Sequence, residues 1–110
     1  NKKEEITIDD FSKLELKVGK VLEVSDHPKA DKLLVLKVKI GSEERQIVSG
    51  IKKWYQAEDL VGKKVVVLTN LKPVKLRGVE SQGMILAADK DENLSLLSVL
   101  NDIEDGADIS

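Results

Sequence analysis

Leu34, Leu36, Val38 and Ile40 alternate with Val35, Lys37 and Lys39, and a two-residue period with one apolar face fits only a half-buried strand. The same period runs through Leu14, Leu16 and Val18, slips in parity at Gly19, and resumes with Val21, Leu22 and Val24. A slip at a glycine predicts a β-bulge that bends one long strand around a corner. Residues 45–49, 63–69 and 83–88 add apolar strands, the second through the run Val65-Val66-Val67-Leu68, and residues 94–99 offer a final strand or edge. Aromatic residues make up only 3% of the chain against 41% hydrophobic overall. The core is therefore aliphatic and rich in β-branched side chains, which favours sheet.

The connecting segments set the topology. Asp9 or Asp10 is placed to N-cap a turn through residues 11–14 whose apolar members anchor on the sheet. Pro28 restricts His27 to an extended conformation and makes residues 26–32 a loop. Residues 41–44 form a hairpin turn, and residues 70–78 an irregular basic segment. Between them Ile51, Trp54, Tyr55 and Leu60 share a face of a short, interrupted helix that plugs one end of the sheet. The expected fold is all-β: an OB-fold, a five-stranded Greek-key barrel with a short helix between strands 3 and 4. Residues 1–5 are expected to be a disordered linker remnant, and residues 6–110 one domain. From the start Asn1-Lys2-Lys3, without Met, the expectation is an excised fragment, the alternative being a free-standing protein with a removed or unseen start.

Several chemistries are poorly supplied. With no cysteine there is neither disulfide nor thiol catalysis, and one histidine makes a transition-metal site improbable. That residue, His27, lies in a loop without a nucleophile motif and reads as a solvated side chain. Gly78 and Gly83 have the spacing of a phosphate loop, but Met84-Ile85 stands where Lys-Ser/Thr is required. No catalytic residues, cofactor or metal are therefore assigned. No run of roughly 18 apolar residues or signal segment occurs, so the expectation is a soluble cytoplasmic protein with no membrane partner.

Charge is distributed unevenly behind a net value of −2. Residues 51–79 hold seven basic side chains against two acidic ones, whereas residues 80–110 hold eight acidic against one basic. Lys29 and Lys32 lie in the first loop, Lys52 and Lys53 follow strand 3, and Lys72, Lys75 and Arg77 occupy the later basic segment. In an OB barrel such connections converge on a rim that can bind polyanions, the alternative being an ordinary lysine-rich surface. Ser49, Asn70, Ser81 and Gln82 could donate hydrogen bonds to ribose or base edges, and Met84 could pack on a base or fill the core. With one Phe, one Trp and one Tyr, stacking along a single strand is under-supplied, so structured RNA read by shape and phosphate fits better.

Five strings occur in order: Val18-Gly19-Lys20-Val21, His27-Pro28-Lys29-Ala30-Asp31-Lys32-Leu33, Val48-Ser49-Gly50-Ile51, Asn70-Leu71-Lys72-Pro73, and Gly78-Val79-Glu80-Ser81-Gln82-Gly83-Met84-Ile85-Leu86-Ala87-Ala88. Together they resemble the tRNA-binding domain found at the C-terminus of many methionyl-tRNA synthetases, with related free-standing tRNA-binding and chaperone-like versions. The resemblance implies non-catalytic binding of tRNA, with a synthetase catalytic domain as partner in cis or trans. It assigns RNA-facing roles to Lys29, Lys32, Ser49, Asn70, Lys72, Lys75, Arg77, Ser81 and Met84. It further implies a C-terminal extension, about residues 90–110, that joins two copies into a homodimer, with Leu94, Leu96, Leu97, Leu100 and Ile103 available to be buried between them.

Overall fold

The computed structural model describes residues 2–110. In chain order the elements are α1 Ile8–Phe11, β1 Leu16–Asp26, β2 Leu34–Ile40, β3 Glu43–Ser49, α2 Ala57–Leu60, β4 Lys64–Leu68, β5 Val74–Leu76, β6 Val79–Ser81, β7 Met84–Ile85, β8 Ala87–Lys90, β9 Asn93–Leu96 and β10 Asp108–Ile109. The main sheet is antiparallel in the order β3-β2-β1-β4-β7, with β10 also paired to β1, and β5-β6 and β8-β9 form separate hairpins. This is the expected OB-type barrel, with a short helix between the third and fourth strands.

The long first strand makes the curl. Its first half, Leu16 to Lys20, pairs with β4, and its second half, Lys20 to Asp26, pairs with β2. The register shifts by one residue between Val21 and Glu23, leaving Leu22 unpaired. The bulge is therefore at Leu22, not at Gly19 as the parity slip suggested. Gly19 answers a different constraint. A Cβ built there would lie 2.5 Å from Val38 Cγ1 and 3.1 Å from Val67 Cγ2, so the missing side chain is what lets β2 and β4 side chains close over the strand.

Inside, Val21, Leu34, Leu36, Val38, Ile47, Val65 and Val67 are buried to 2% exposure or less, and Ile51, Leu60 and Ile85 close the core. The alternation 34, 36, 38, 40 is reproduced residue for residue in β2. The seam between β3 and the β6–β7 connection is closed by specific bonds rather than a regular ladder. Gln82 N donates to Gln46 O at 2.7 Å, Gln46 N to Gln82 Oε1 at 3.0 Å, and Val48 N to Ser81 Oγ at 2.9 Å. These groups would otherwise be unpaired strand-edge donors and acceptors.

Several local expectations are corrected. Thr7, not Asp9 or Asp10, caps α1, and Asp10 completes a reciprocal capping box with it. Of the apolar residues expected to anchor there, Phe11 is half-buried whereas Leu14 is 47% exposed. The helix expected over 51–60 is confined to Ala57–Leu60, although Ile51 and Leu60 are buried as a plug requires. The basic segment 70–78 is not wholly irregular, because residues 74–76 pair with 79–81. The strand expected over 83–88 is split between β7 and β8, and the one over 94–99 stops at Leu96. Of the expected linker, Asn1 lies outside the described residues, and residues 2–5 carry no helix or strand.

The acidic tail returns to the barrel. Val18 N donates to Ala107 O at 3.0 Å and Gly106 N to Val18 O at 2.7 Å, on the edge of β1 that β2 has left. Asp105 fixes this return, accepting from Lys39 Nζ at 3.0 Å and Gly41 N at 2.9 Å. The Lys39 hydrogen bond, with the Gly41 amide and the lysine charge in support, outweighs burial and holds the Asp105 carboxyl below its ordinary value.

Candidate nucleic-acid interface

His27 organises the basic rim. It is buried at 5% exposure, which corrects the solvated loop histidine expected from sequence. Lys29 N donates to His27 Nδ1 at 2.9 Å, so Nε2 carries the proton and donates it to Leu76 O at 2.8 Å. One imidazole thus joins the loop of residues 27–33 to the β5–β6 hairpin, 49 positions along the chain. The loop is closed at its base by His27 N to Leu33 O, 3.1 Å, and Lys52 N reaches Lys32 O at 3.4 Å. Three separate basic segments are thereby placed side by side: Lys29 and Lys32, Lys52 and Lys53, and Lys75 and Arg77.

The hairpin presents its cations through turn geometry. Arg77 and Gly78 both have positive φ, 53° and 91°, the arrangement of a two-residue turn that matches strand twist. Arg77 is therefore at the apex, exposed, with Lys75 exposed on β5. Lys72, ahead of the hairpin, is flanked by Leu71 and Pro73, which line a groove of about 410 Å³ with Glu43, Glu44, Arg45, Thr69 and Gln82. Among the described residues no hydrogen bond ties Lys72 to the first loop.

Ion pairing is uneven among the basic side chains, and the rim shares its unpaired state with Lys2, Lys3, Lys20, Lys63 and Lys90 among the described residues. Lys17, Lys37, Lys39, Arg45 and Lys64 each stand within 4.0 Å of a carboxylate. Among the described residues Lys29, Lys32, Lys53, Lys72, Lys75 and Arg77 form no such pair, and Lys52 is held by Asp26 at 3.4 Å. The rim therefore keeps uncompensated positive charge although the chain as a whole is slightly acidic.

The polar candidates divide. Ser49 ends β3 half-buried. Ser81 is buried at 3% exposure, accepting from Val48 N and donating to Gly83 O, so its hydroxyl is used in building the seam. Asn70 is exposed and oriented by two bonds, its Oδ1 accepting from Glu15 N at 2.8 Å and its Nδ2 donating one proton to Lys13 O at 2.7 Å, which leaves the second N–H outward. Gln82 bonds to β3 through its Oε1, while its Nε2 lies 3.5 Å from Glu80 Oε1. Met84 is 43% exposed and is not a core filler.

Sequence reasoning placed Trp54 in the plug. It is instead 38% exposed and lines a groove of about 490 Å³ with Asp31, Lys32, Gly50, Lys52 and Lys53. The interruption of helical period after Tyr55 was the available signal. Of the apolar residues expected between two copies, Leu94 and Leu96 are half-buried, packed in part against the barrel's own core, while Leu97, Leu100 and Ile103 are exposed. No helix is long and apolar enough to cross a membrane among the described residues.

Residues 16–108 match the family described as "Putative tRNA binding domain". The chain is 58% identical over 109 residues to methionine–tRNA ligase of Methanocaldococcus jannaschii, covering 98% of this chain and 17% of the ligase. It is 54% identical over 108 residues to the ligase of Thermococcus kodakarensis, covering 98% of this chain and 15% of that protein. The chain thus spans a minor part of the ligases it matches. Among solved structures, a MetRS-related protein from Pyrococcus horikoshii superposes with TM-score 0.92 at 38% identity, covering 98% of this chain and all of that one. The chaperone CsaA from Bacillus anthracis superposes with TM-score 0.88 at 26% identity, covering 97% and 100%.

Proposed function

Because this chain belongs to the tRNA-binding domain family, we propose that it holds folded tRNA on the rim formed by Lys29, Lys32, Lys52, Lys53, Lys72, Lys75 and Arg77. It does so without chemistry of its own, as a module working with the catalytic domain of a methionine–tRNA ligase in cis or in trans. Tethering raises the local concentration of tRNA at that domain, in the cytoplasm where translation runs. The observation that carries the reading is the juxtaposition, through the His27 clamp, of Lys29, Lys32, Lys53, Lys75 and Arg77, none of which has a carboxylate partner among the described residues. Recognition through phosphates and overall shape follows from the small supply of exposed aromatic rings.

The experiment is binding of the purified chain to folded tRNA across a salt series, with unstructured RNA of equal length and duplex DNA as competitors. Preferential tRNA binding that weakens with salt supports the reading. Absence of binding, or equal binding to every polyanion, overturns it.

We further propose that two copies associate through Leu97, Leu100 and Ile103, an apolar set exposed on the 90–110 extension. The same exposed set supports a second reading, a protein-interaction module like the CsaA chaperone to which the fold is similar. Binding to protein partners with little salt dependence, in place of tRNA binding, would select it.

A further inference from the structure

Trp54 is the single tryptophan of the chain, and its position is fixed by a bond that has no part in core packing. The indole Nε1 donates to Glu92 O at 3.0 Å, holding the ring against the β8–β9 turn while leaving it 38% exposed. Lys53 Nζ stands over the ring, 5.5 Å from its centroid, a cation–π arrangement that keeps an ammonium beside the aromatic surface. Lys32 and Lys52 line the same groove, with Asp31 as the one carboxylate and Gly50 leaving space beside the ring. Lys52 is partly engaged by Asp26, whereas Lys32 and Lys53 have no acidic partner among the described residues. An anchored aromatic surface flanked by ammonium groups is complementary to one chemical unit, a nucleobase with its phosphate.

We propose that this groove is a subsite for a single unpaired nucleotide, its base stacked on Trp54 as the Lys53 ammonium moves off the ring, and its phosphate held by Lys32 and Lys53. The inference rests on the RNA-binding reading and sharpens it: most of the rim meets phosphates of a folded molecule, while this one position selects RNAs that extrude a base within reach. Stacking tolerates any base, since every base has a π-face. The subsite therefore adds discrimination for RNA shape, through the place of the extruded residue, rather than for sequence.

Trp54 reports on its own occupancy. Titration of the chain with folded tRNA is followed by Trp54 fluorescence and, separately, by retention of labelled tRNA, for the natural chain and for Trp54→Ala and Trp54→Phe, each checked for unchanged circular dichroism. The expected result is quenching that saturates with binding, about tenfold weaker affinity for W54A, and affinity mostly kept in W54F, whose ring still stacks. The dependence on salt is expected to be unchanged in W54A, because a stack releases no counterions. Either an unquenched Trp54 in the bound complex or an unweakened W54A overturns the subsite while leaving RNA binding by the rim intact. A natural chain that retains no tRNA overturns both.

Discussion

The Nε2 atom of His27 lies 2.8 Å from the carbonyl oxygen of Leu76, and this one bond spans the first inter-strand loop and the tip of the β5–β6 hairpin. Removing the imidazole leaves Leu76 O and Lys29 N without their partners. Each lost partner of a buried group costs about 1–3 kcal/mol. His27→Ala is therefore expected to lower stability by about 2 kcal/mol and to weaken tRNA binding several-fold, although the imidazole meets no RNA. Urea denaturation with a tRNA titration on the still-folded variant checks both. Native affinity in H27A would mean that the two loops hold their places without the clamp.

The unpaired cations are expected to act separately from the paired ones. Lys72→Ala and Arg77→Ala should each weaken tRNA binding and reduce the slope of log K against log salt by about 1. Lys37→Ala, whose ammonium already faces Glu23 at 3.7 Å, should leave both nearly unchanged. Equal effects at all three positions would show a diffuse electrostatic attraction in place of a defined rim. The measurement is a filter-binding isotherm at four or more salt concentrations.

How much of this could be read from the chain depended on whether the signal was periodic or conformational. The alternation of β2 and the run of β4 were legible because burial on one or both sheet faces imposes them directly. The basic rim was legible because charge survives in the sequence whatever the fold. The role of His27 was not, since its two partners are backbone atoms, one of them 49 residues distant. Ser81 reads as an available donor in the sequence for a similar reason, its hydroxyl being buried in the seam. A short polar side chain near a basic segment looks available until the backbone groups it must satisfy are in place. Gly19 signalled a constraint at the right residue, yet the constraint is close packing under Val38, and the bulge falls three residues later.

Gly19→Ala tests that packing. Its Cβ would stand 2.5 Å from Val38 Cγ1, closer than carbon atoms tolerate, so β2 or β1 must shift. Overpacking of this kind costs about 1–3 kcal/mol, expected as a lower urea midpoint with an unchanged slope. Recovery in the double variant Gly19→Ala with Val38→Ala would identify the valine methyl as the clash. An unchanged midpoint in the single variant would mean that the barrel yields there at no cost.

Acid should loosen the tail before it unfolds the barrel. The Asp105 carboxyl is held below its ordinary value chiefly by Lys39. Its contribution to stability is therefore present above the unfolded-state value near 4 and is lost as pH falls through the lower folded value. Hydrogen exchange at Gly106 and Val18, which pair across this joint, is expected to lose protection there relative to the β2–β3 ladder as the medium is acidified below pH ~4. Asp105→Asn should show the weakened joint already at neutral pH and little further change with acid. Identical acid profiles for the two proteins would place the labile carboxylate elsewhere.

The exposed face of the extension supplies the last test. Leu97 is 38% exposed, Ile103 48%, and Leu100 fully exposed at 104%, so none contributes much to the barrel of one copy. Substituting a core leucine by a polar residue would unfold the domain, but here the monomer has little to lose. Leu100→Ser with Ile103→Ser is expected to shift sedimentation from dimer to monomer at micromolar concentration while changing monomer stability by under about 0.5 kcal/mol, as surface substitutions do. Burial of three such side chains in each copy would contribute about 1.5–3 kcal/mol apiece if complete, enough for association to respond to the loss of two. A natural chain that sediments as a monomer would remove this face from the dimer proposal and leave it to a different protein partner. A dimer that survives both substitutions would place the contact on another surface, with the exposed helix residue Ile8, 75% exposed, the next position to change.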